Sequence, residues 1–212
     1  MAALRDVGRV ITYPLTVTPG TRLQDLPRAV RIAARREWVL SRFTAIARAL
    51  EKRGLSLEKR LPIAHAILAH FWREIGPMGA FNSLGADGAE ANYNPANIKC
   101  LGAQDAPGEV GWHGDCFRWR ENGALYRSYP DLQTGVDDYI QLLEGKRDAN
   151  GVWHGRYRPA YDVLLRDPRS AATWHALTLQ AGFTPSSEIQ NAIAEYAAIY
   201  RLIPDAARAR AA

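Results

Sequence analysis

The spacing of apolar residues predicts two long helices in the first third of the chain. Apolar side chains recur at three- and four-residue intervals from Pro27 to Arg53, and Gly54 ends that segment. A second helix begins after Ser56, which suits an N-cap, and runs to about Ile75 before a Gly-Pro pair stops it. Its apolar face comprises Ile63, Ile67, Leu68 and Phe71. We therefore expect the second helix to lie in the core.

The pattern changes between residues 76 and 130, where helical periodicity is absent and Gly, Asn, Asp and Pro are frequent. Three short runs in this region have β-strand character: Asn97–Leu101, Cys116–Trp119 and Leu125–Tyr129. The sequence Glu121-Asn122-Gly123 predicts a hairpin turn between the last two runs. This region is therefore expected to form a small sheet.

Helical spacing returns after residue 130. The predicted helices cover Leu132–Leu143, Ala160–Leu165, Pro168–Gln180 and Pro185–Leu202. We interpret the chain as an α+β protein with a mainly helical body and a small β lobe. The expected divisions are an N-terminal arm with a basic amphipathic helix over residues 1–55, one domain over residues 56–204, and a frayed tail over residues 205–212.

Composition narrows the function classes only slightly. The 212-residue chain carries a net charge of +5, which suits an anionic partner such as nucleic acid, a membrane face or the bacterial wall, without choosing among them. Residues 1–20 lack the apolar segment of a Sec-type signal peptide, and no apolar run is long enough to predict a membrane span. Cys100 and Cys116 either form one disulfide or are two buried thiols.

No metal or cofactor is expected from the sequence. His65 and His70 are five positions apart and do not share a helix face, and the other three histidines are scattered. Two cysteines are too few for a four-cysteine zinc site, and no phosphate-binding loop or dinucleotide fingerprint is present. We therefore interpret the histidines as incidental or as satisfied core residues.

Two segments together match the pattern of a known family. The first is an apolar helix that ends in an acid and is followed by a short polar strand: Ala69-His70-Phe71-Trp72-Arg73-Glu74-Ile75-Gly76, then Asn94-Pro95-Ala96-Asn97-Ile98-Lys99. The second is a strand followed by a helix: Tyr126-Arg127-Ser128-Tyr129-Pro130-Asp131, then Asp138-Tyr139-Ile140-Gln141-Leu142-Leu143. Over roughly residues 60–202 the chain resembles the glucosaminidase domain of glycoside hydrolase family 73.

That resemblance implies a lysozyme-like fold over residues 56–204, with peptidoglycan as substrate. It also implies cleavage of the bond between N-acetylglucosamine and N-acetylmuramic acid. Glu74 takes the place of the family's general acid, a role that needs a carboxyl protonated near neutral pH. Burial against aromatic residues would favour that state, and Phe71, Trp72 and Phe81 are near in sequence.

The resemblance leaves the second catalytic acid less certain than the first. The family's second acid lies before the hairpin turn, where this chain has Arg118-Trp119. Asp115 is our candidate for that role, ahead of Glu121, Glu109 and Asp87. The family often has a cleft tyrosine near the end of the domain, which is missing here, and its candidate replacements are Tyr157, Tyr161 and Tyr93.

Polar and aromatic residues near the predicted sheet are candidates for substrate binding. Asn94, Asn97 and Lys99 carry amide and ammonium groups that suit hydroxyl, acetamido and lactyl-carboxylate partners on a glycan. The alternative for the two asparagines is turn formation, because Asn-Pro is a good turn initiator. Trp112 and Trp119 can stack on a sugar or pack in the core.

The sequence therefore predicts a peptidoglycan hydrolase of the endo-β-N-acetylglucosaminidase type. The alternatives are a muramidase or lytic transglycosylase on the same fold, or a non-catalytic wall-binding component of a phage tail or secretion apparatus. We expect action in the periplasm or at the cell wall, with delivery by lysis, by a virion or by dedicated export. Residues 1–55 are a candidate docking segment for such a machine, and neither nucleic acid nor a membrane span is expected.

Overall fold

A computed structural model of the protein describes residues 27–75, 93–96, 98–100, 115–118, 125–168 and 170. The helices of this part are α1 (Arg28–Lys52), α2 (Leu57–Ile75), α3 (Leu132–Glu144) and α4 (Arg158–Arg166), and the strands are β1 (Cys116–Arg118), β2 (Leu125–Arg127), β3 (Lys146–Arg147) and β4 (Trp153–His154). The arrangement is α+β and mostly helical. The helices predicted from Pro168 and Pro185 lie outside the described residues.

The first helix ends where the sequence predicts. Gly54 adopts a φ of 78°, a backbone conformation that glycine reaches without the steric cost of a side chain. The Gly54 N–H donates to the Glu51 carbonyl at 2.8 Å, and the Leu55 N–H donates to the Leu50 carbonyl at 3.3 Å. This pair of bonds is a Schellman motif, which satisfies carbonyls left open at the end of the helix.

Helix α2 lies at the centre of the described part of the chain. Its residues from Ile63 to Phe71 are all buried, as expected for a helix that is covered on every side. The core around it is contributed mainly by α1, α3 and α4: Trp38, Val39, Phe43, Ile46, Leu50, Val136, Tyr139, Ile140, Leu143, Tyr161 and Leu164. Helices α1 and α2 therefore contribute to the same core.

Polar contacts fix α3 against the end of α1. The Arg53 guanidinium donates from Nε to Glu144 Oε2 at 2.9 Å and from one terminal nitrogen to the Asp137 carbonyl at 3.2 Å. The start of α3 is capped by Asp131, whose side chain accepts from the Thr134 N–H at 2.8 Å. The Arg53 contacts set the position of α3 against the end of α1.

The small sheet forms where two of the predicted strands pair. β1 and β2 are antiparallel, with Phe117 opposite Tyr126, and Lys99 forms an isolated antiparallel bridge to Tyr126. Cys100 and Cys116 form a disulfide, which resolves the two alternatives left by the sequence. The predicted turn at residues 121–123 lies outside the described residues, although the strands that flank it pair as expected.

A second hairpin, β3–β4, was not among the sequence predictions. Its loop is held by Asp148, whose carboxylate accepts from the N–H groups of Asn150 and Val152 and contacts His154 Nε2 at 2.9 Å. These bonds, led by the one from His154, lower the pKa of Asp148 below its usual range.

Within the part of the chain that the structure describes, no helix combines the length and apolar character needed to cross a membrane.

Candidate active site

Glu74 lies in the last turn of the central helix. Its side chain is 15% exposed, so the carboxyl is largely withdrawn from water yet still reaches the surface. A carboxylate in this place is opposed twice, because burial disfavours charge and the end of a helix carries partial negative charge.

The buried imidazole of His70 lies beside Glu74. His70 precedes it by one helical turn, and His70 Nε2 lies 3.5 Å from Glu74 Oε1. That distance is a polar contact rather than a short hydrogen bond. On the other side of the ring, His70 Nδ1 lies 2.6 Å from the Tyr139 hydroxyl, which is a short hydrogen bond across the α2–α3 interface. The His70 and Tyr139 side chains are both inaccessible to solvent.

Aromatic rings surround this polar row. Phe71 packs edge-on against Tyr139, with 4.9 Å between ring centroids. Trp72, which is partly buried, packs edge-on against Trp38 at 5.9 Å. The sequence predicts aromatic residues around the acid, and Phe71 and Trp72 both pack in or against the core on the helix that carries Glu74. Phe81, also named in that prediction, lies outside the described residues.

Helix α3 connects the Glu74 region to the small sheet. Asp138, the neighbour of Tyr139, accepts from an Arg127 terminal nitrogen at 2.7 Å and from the Tyr129 hydroxyl at 2.5 Å. Burial, together with the nearby Asp138 charge, raises the pKa of Tyr129 far above its ordinary value, so this hydroxyl stays a donor. Two consecutive residues of α3 thus contact both regions. Asp138 contacts Arg127 in β2, and Tyr139 contacts the His70 ring beside Glu74.

The Asn94 side chain makes hydrogen bonds to the main chain, as a turn-forming asparagine does. The residue is fully buried, and its amide nitrogen donates to the carbonyls of Ile98 and Arg127 at 2.9 and 3.0 Å. Its carbonyl oxygen accepts from the Ile98 N–H at 2.8 Å. Two of these bonds link Asn94 to Ile98 four residues later, and the third links Asn94 to Arg127 in β2, so the side chain ties this segment to the strand.

The turn that contains Asn94 is pressed against α3. A Cβ atom on Gly135 would lie 2.1 Å from the Tyr93 carbonyl oxygen, so only glycine allows this approach. Tyr93 has a φ of 50°, and its side chain is 44% exposed. The close approach fixes the backbone and leaves the Tyr93 ring at the surface, where the sequence predicts a substrate contact.

The remaining predicted site residues differ in their surroundings. Lys99 and Asp115 are exposed, and the Asp115 carbonyl accepts from the Ser128 N–H at 2.9 Å. Tyr157 is half-buried at the start of α4 and has the Arg156 guanidinium 5.8 Å from its ring. Asn97, Trp112 and Trp119 lie outside the described residues, as do the alternative acids Glu121, Glu109 and Asp87.

The described residues contain no group of three or more His, Cys, Asp or Glu side chains that could hold a metal ion.

Sequence reasoning missed His70 and Tyr139 as parts of the site. The available signal was the four-residue spacing between His70 and Glu74, which places both on one face of a helix. The sequence prediction compared His70 with His65, five positions away, and did not consider its four-residue spacing from Glu74. The contact with Tyr139 spans 69 positions, so no local pattern could reveal it.

No family model matches the sequence, and no significant match was found among curated proteins or solved structures.

Proposed function

We propose that the protein is a peptidoglycan hydrolase with a lysozyme-like fold that cleaves the glycan backbone as an endo-β-N-acetylglucosaminidase. Glu74 is its general acid. The observation that carries the proposal is the placement of this single carboxyl: 15% exposed, in the last turn of a helix whose stretch from Ile63 to Phe71 is buried, beside a buried imidazole. The motifs shared with the glucosaminidase family supply the substrate class.

The surroundings of Glu74 support proton donation. Its low exposure and its place at the negative end of the helix dipole both favour the neutral acid. In the proposed reaction Glu74 gives its proton to the glycosidic oxygen as the bond from that oxygen to the sugar C1 breaks. Water then adds its hydroxyl to C1, and its remaining proton returns the acid to its starting state.

The proposed second acid is Asp115, which would assist the water or the charge that develops on the sugar. It is exposed and lies immediately before β1. Tyr93 and Lys99 are exposed near the same sheet and serve as substrate contacts in this proposal. Asn94 holds the 93–98 segment in place from within the core.

The disulfide supports action outside the cytoplasm. Cys100 and Cys116 are joined across the segment that carries the proposed substrate contacts, and such bonds persist in oxidising compartments. A net charge of +5 also favours association with an anionic wall. Both properties agree with the proposed delivery to the periplasm or cell wall.

Wall clearing by matched variants tests the catalytic role. Wild type is expected to reduce the turbidity of purified peptidoglycan, and Glu74→Gln is expected to be slower by about 100-fold or more. Glu51→Gln is the matched control, because Glu51 also lies on a helix but is 63% exposed and pairs with Arg60. Equal clearing by wild type and Glu74→Gln would contradict the mechanism. Wall binding without clearing by any variant would favour the assembly role.

Mass spectrometry of the released fragments tests which bond is cut. The proposal predicts reducing N-acetylglucosamine ends. Reducing muramic acid ends would instead identify a muramidase, and 1,6-anhydromuramic ends would identify a lytic transglycosylase. Either of these results would keep Glu74 as the acid and overturn the glucosaminidase assignment.

A further inference from the structure

The hydroxyl of Tyr139, the ring of His70 and the carboxyl of Glu74 form one continuous polar row. The first two groups are 2.6 Å apart and the last two are 3.5 Å apart. The row begins in the interior of the helix pair and ends at the only one of its members with solvent exposure. It therefore leads from the core to the proposed catalytic group.

The placement of these polar groups has an energetic cost. A buried imidazole or hydroxyl that lacks a hydrogen bond destabilises the fold, whereas an apolar side chain would fill the same space without that cost. The neighbours of His70 on α2 are apolar and fully buried, including Ala69 and Phe71. The short bond to Tyr139 offsets part of that cost and fixes the plane of the ring.

A fixed imidazole can serve both states through which a general acid passes. A neutral ring carries hydrogen on one nitrogen, and a tyrosine hydroxyl can donate or accept. With hydrogen on Nδ1, the Tyr139 oxygen accepts, and Nε2 presents a lone pair to the protonated Glu74. With hydrogen on Nε2, the Tyr139 hydroxyl donates, and the ring presents N–H to the Glu74 carboxylate.

We propose that His70 and Tyr139 are positioning residues that hold the Glu74 carboxyl in place before and after it gives up its proton. His70 acts by direct contact with the carboxyl, and Tyr139 acts by orienting His70. The catalytic part of this inference rests on the proposed function of Glu74, whereas the coupling among the three groups does not.

Nitrogen NMR of the histidine rings tests the coupling directly. In ¹⁵N-labelled protein, Tyr139→Phe is expected to shift the His70 Nδ1 resonance, and Glu74→Gln is expected to shift Nε2. Tyr161→Phe is the matched control, because it removes a buried tyrosine hydroxyl that contacts Glu144 at 3.2 Å instead. The control is expected to leave both His70 nitrogens unchanged. Unchanged His70 resonances in Glu74→Gln would overturn the proposed contact, whether or not the protein cleaves peptidoglycan.

Kinetics test the positioning role. His70→Gln and Tyr139→Phe are each expected to lower the clearing rate at saturating substrate by about tenfold, while the half-saturating concentration stays near that of wild type. His65→Gln, which replaces a buried histidine on the same helix, is the control and is expected to keep the wild-type rate. Wild-type rates in folded His70→Gln and Tyr139→Phe would overturn the positioning role. An inactive wild type would overturn the proposed function, and the NMR result would still decide the coupling.

Discussion

Two buried polar clusters meet on α3 and differ in the groups that contact their carboxyl. The sheet cluster consists of Arg127, Asp138 and Tyr129, and the helix cluster consists of Tyr139, His70 and Glu74. In the sheet cluster a carboxylate receives a guanidinium at 2.7 Å and a hydroxyl at 2.5 Å. In the helix cluster the carboxyl faces an imidazole at 3.5 Å.

The difference lies in what each partner permits. An arginine is always protonated, so Arg127 gives Asp138 a fixed cationic partner in a structural ion pair. A neutral imidazole can donate or accept, so it can accompany Glu74 in either protonation state. Two carboxyls with similar exposure, 11% and 15%, are thus suited to different tasks by their neighbours.

The largest effect on stability is expected at the sheet cluster. Asp138→Ala leaves the Arg127 side chain, which is 5% exposed, without the carboxylate that it contacts at 2.7 Å. The free energy of unfolding should fall by about 3–5 kcal/mol, measured by urea denaturation. Asp162→Ala, which breaks an exposed ion pair with Arg158, should cost less than about 1 kcal/mol. Equal losses in the two variants would contradict the structural role assigned to the sheet cluster.

Reduction of the disulfide is expected to have the next largest effect on stability. It acts on the small sheet and leaves the helix cluster unchanged. The bond closes a loop with a sequence separation of 16, which corresponds to about 3 kcal/mol of stability in the chain-entropy model. Thermal unfolding with and without reductant measures the loss, and a Cys100→Ser/Cys116→Ser variant should match the reduced protein. A reductant effect that persists in this double variant would show that the loss does not come from the bond.

Replacement of Asn94 separates its two interpretations. Asn94→Ala removes three hydrogen bonds to the main chain and should lower stability by about 2–3 kcal/mol. At a temperature where the variant remains folded, the cleavage rate should stay near that of wild type. Unchanged stability combined with a large loss of cleavage would instead make Asn94 a substrate contact.

The smallest effect on stability is expected when one hydroxyl is removed from the sheet cluster. Tyr129→Phe removes the bond to Asp138 and should cost about 1.5 kcal/mol, measured by the same denaturation. It should leave peptidoglycan cleavage unchanged, whereas Tyr139→Phe, in the helix cluster, should slow it. Equal rates in these two tyrosine variants would remove the functional distinction between the clusters.

Sequence alone predicts the helical part of the fold well, because that part depends on local signals. Periodic apolar residues and the turn formers at Gly54 and after Ile75 give bounds for α1 and α2 within about a residue of those observed. The pairing of β1 with β2 also follows from local pattern. The β3–β4 hairpin was missed because its strands are two residues long and polar, which leaves no alternation to detect.

Only part of the candidate site can be predicted from local sequence patterns. Glu74 can be located because an acid that ends an apolar helix is visible in one sequence segment. Its relation to Tyr139 depends on how α3 packs against α2, and the role of Asn94 depends on where the 93–98 segment meets β2. Those contacts are tertiary, so residue type and spacing leave them undetermined.

The most direct test is the initial rate at which Glu74→Gln releases reducing ends from peptidoglycan, compared with wild type at a temperature where both are folded. We expect a rate lower by about 100-fold or more, with little change in the midpoint of thermal unfolding. A wild-type rate in Glu74→Gln would contradict the assignment of Glu74 as the general acid.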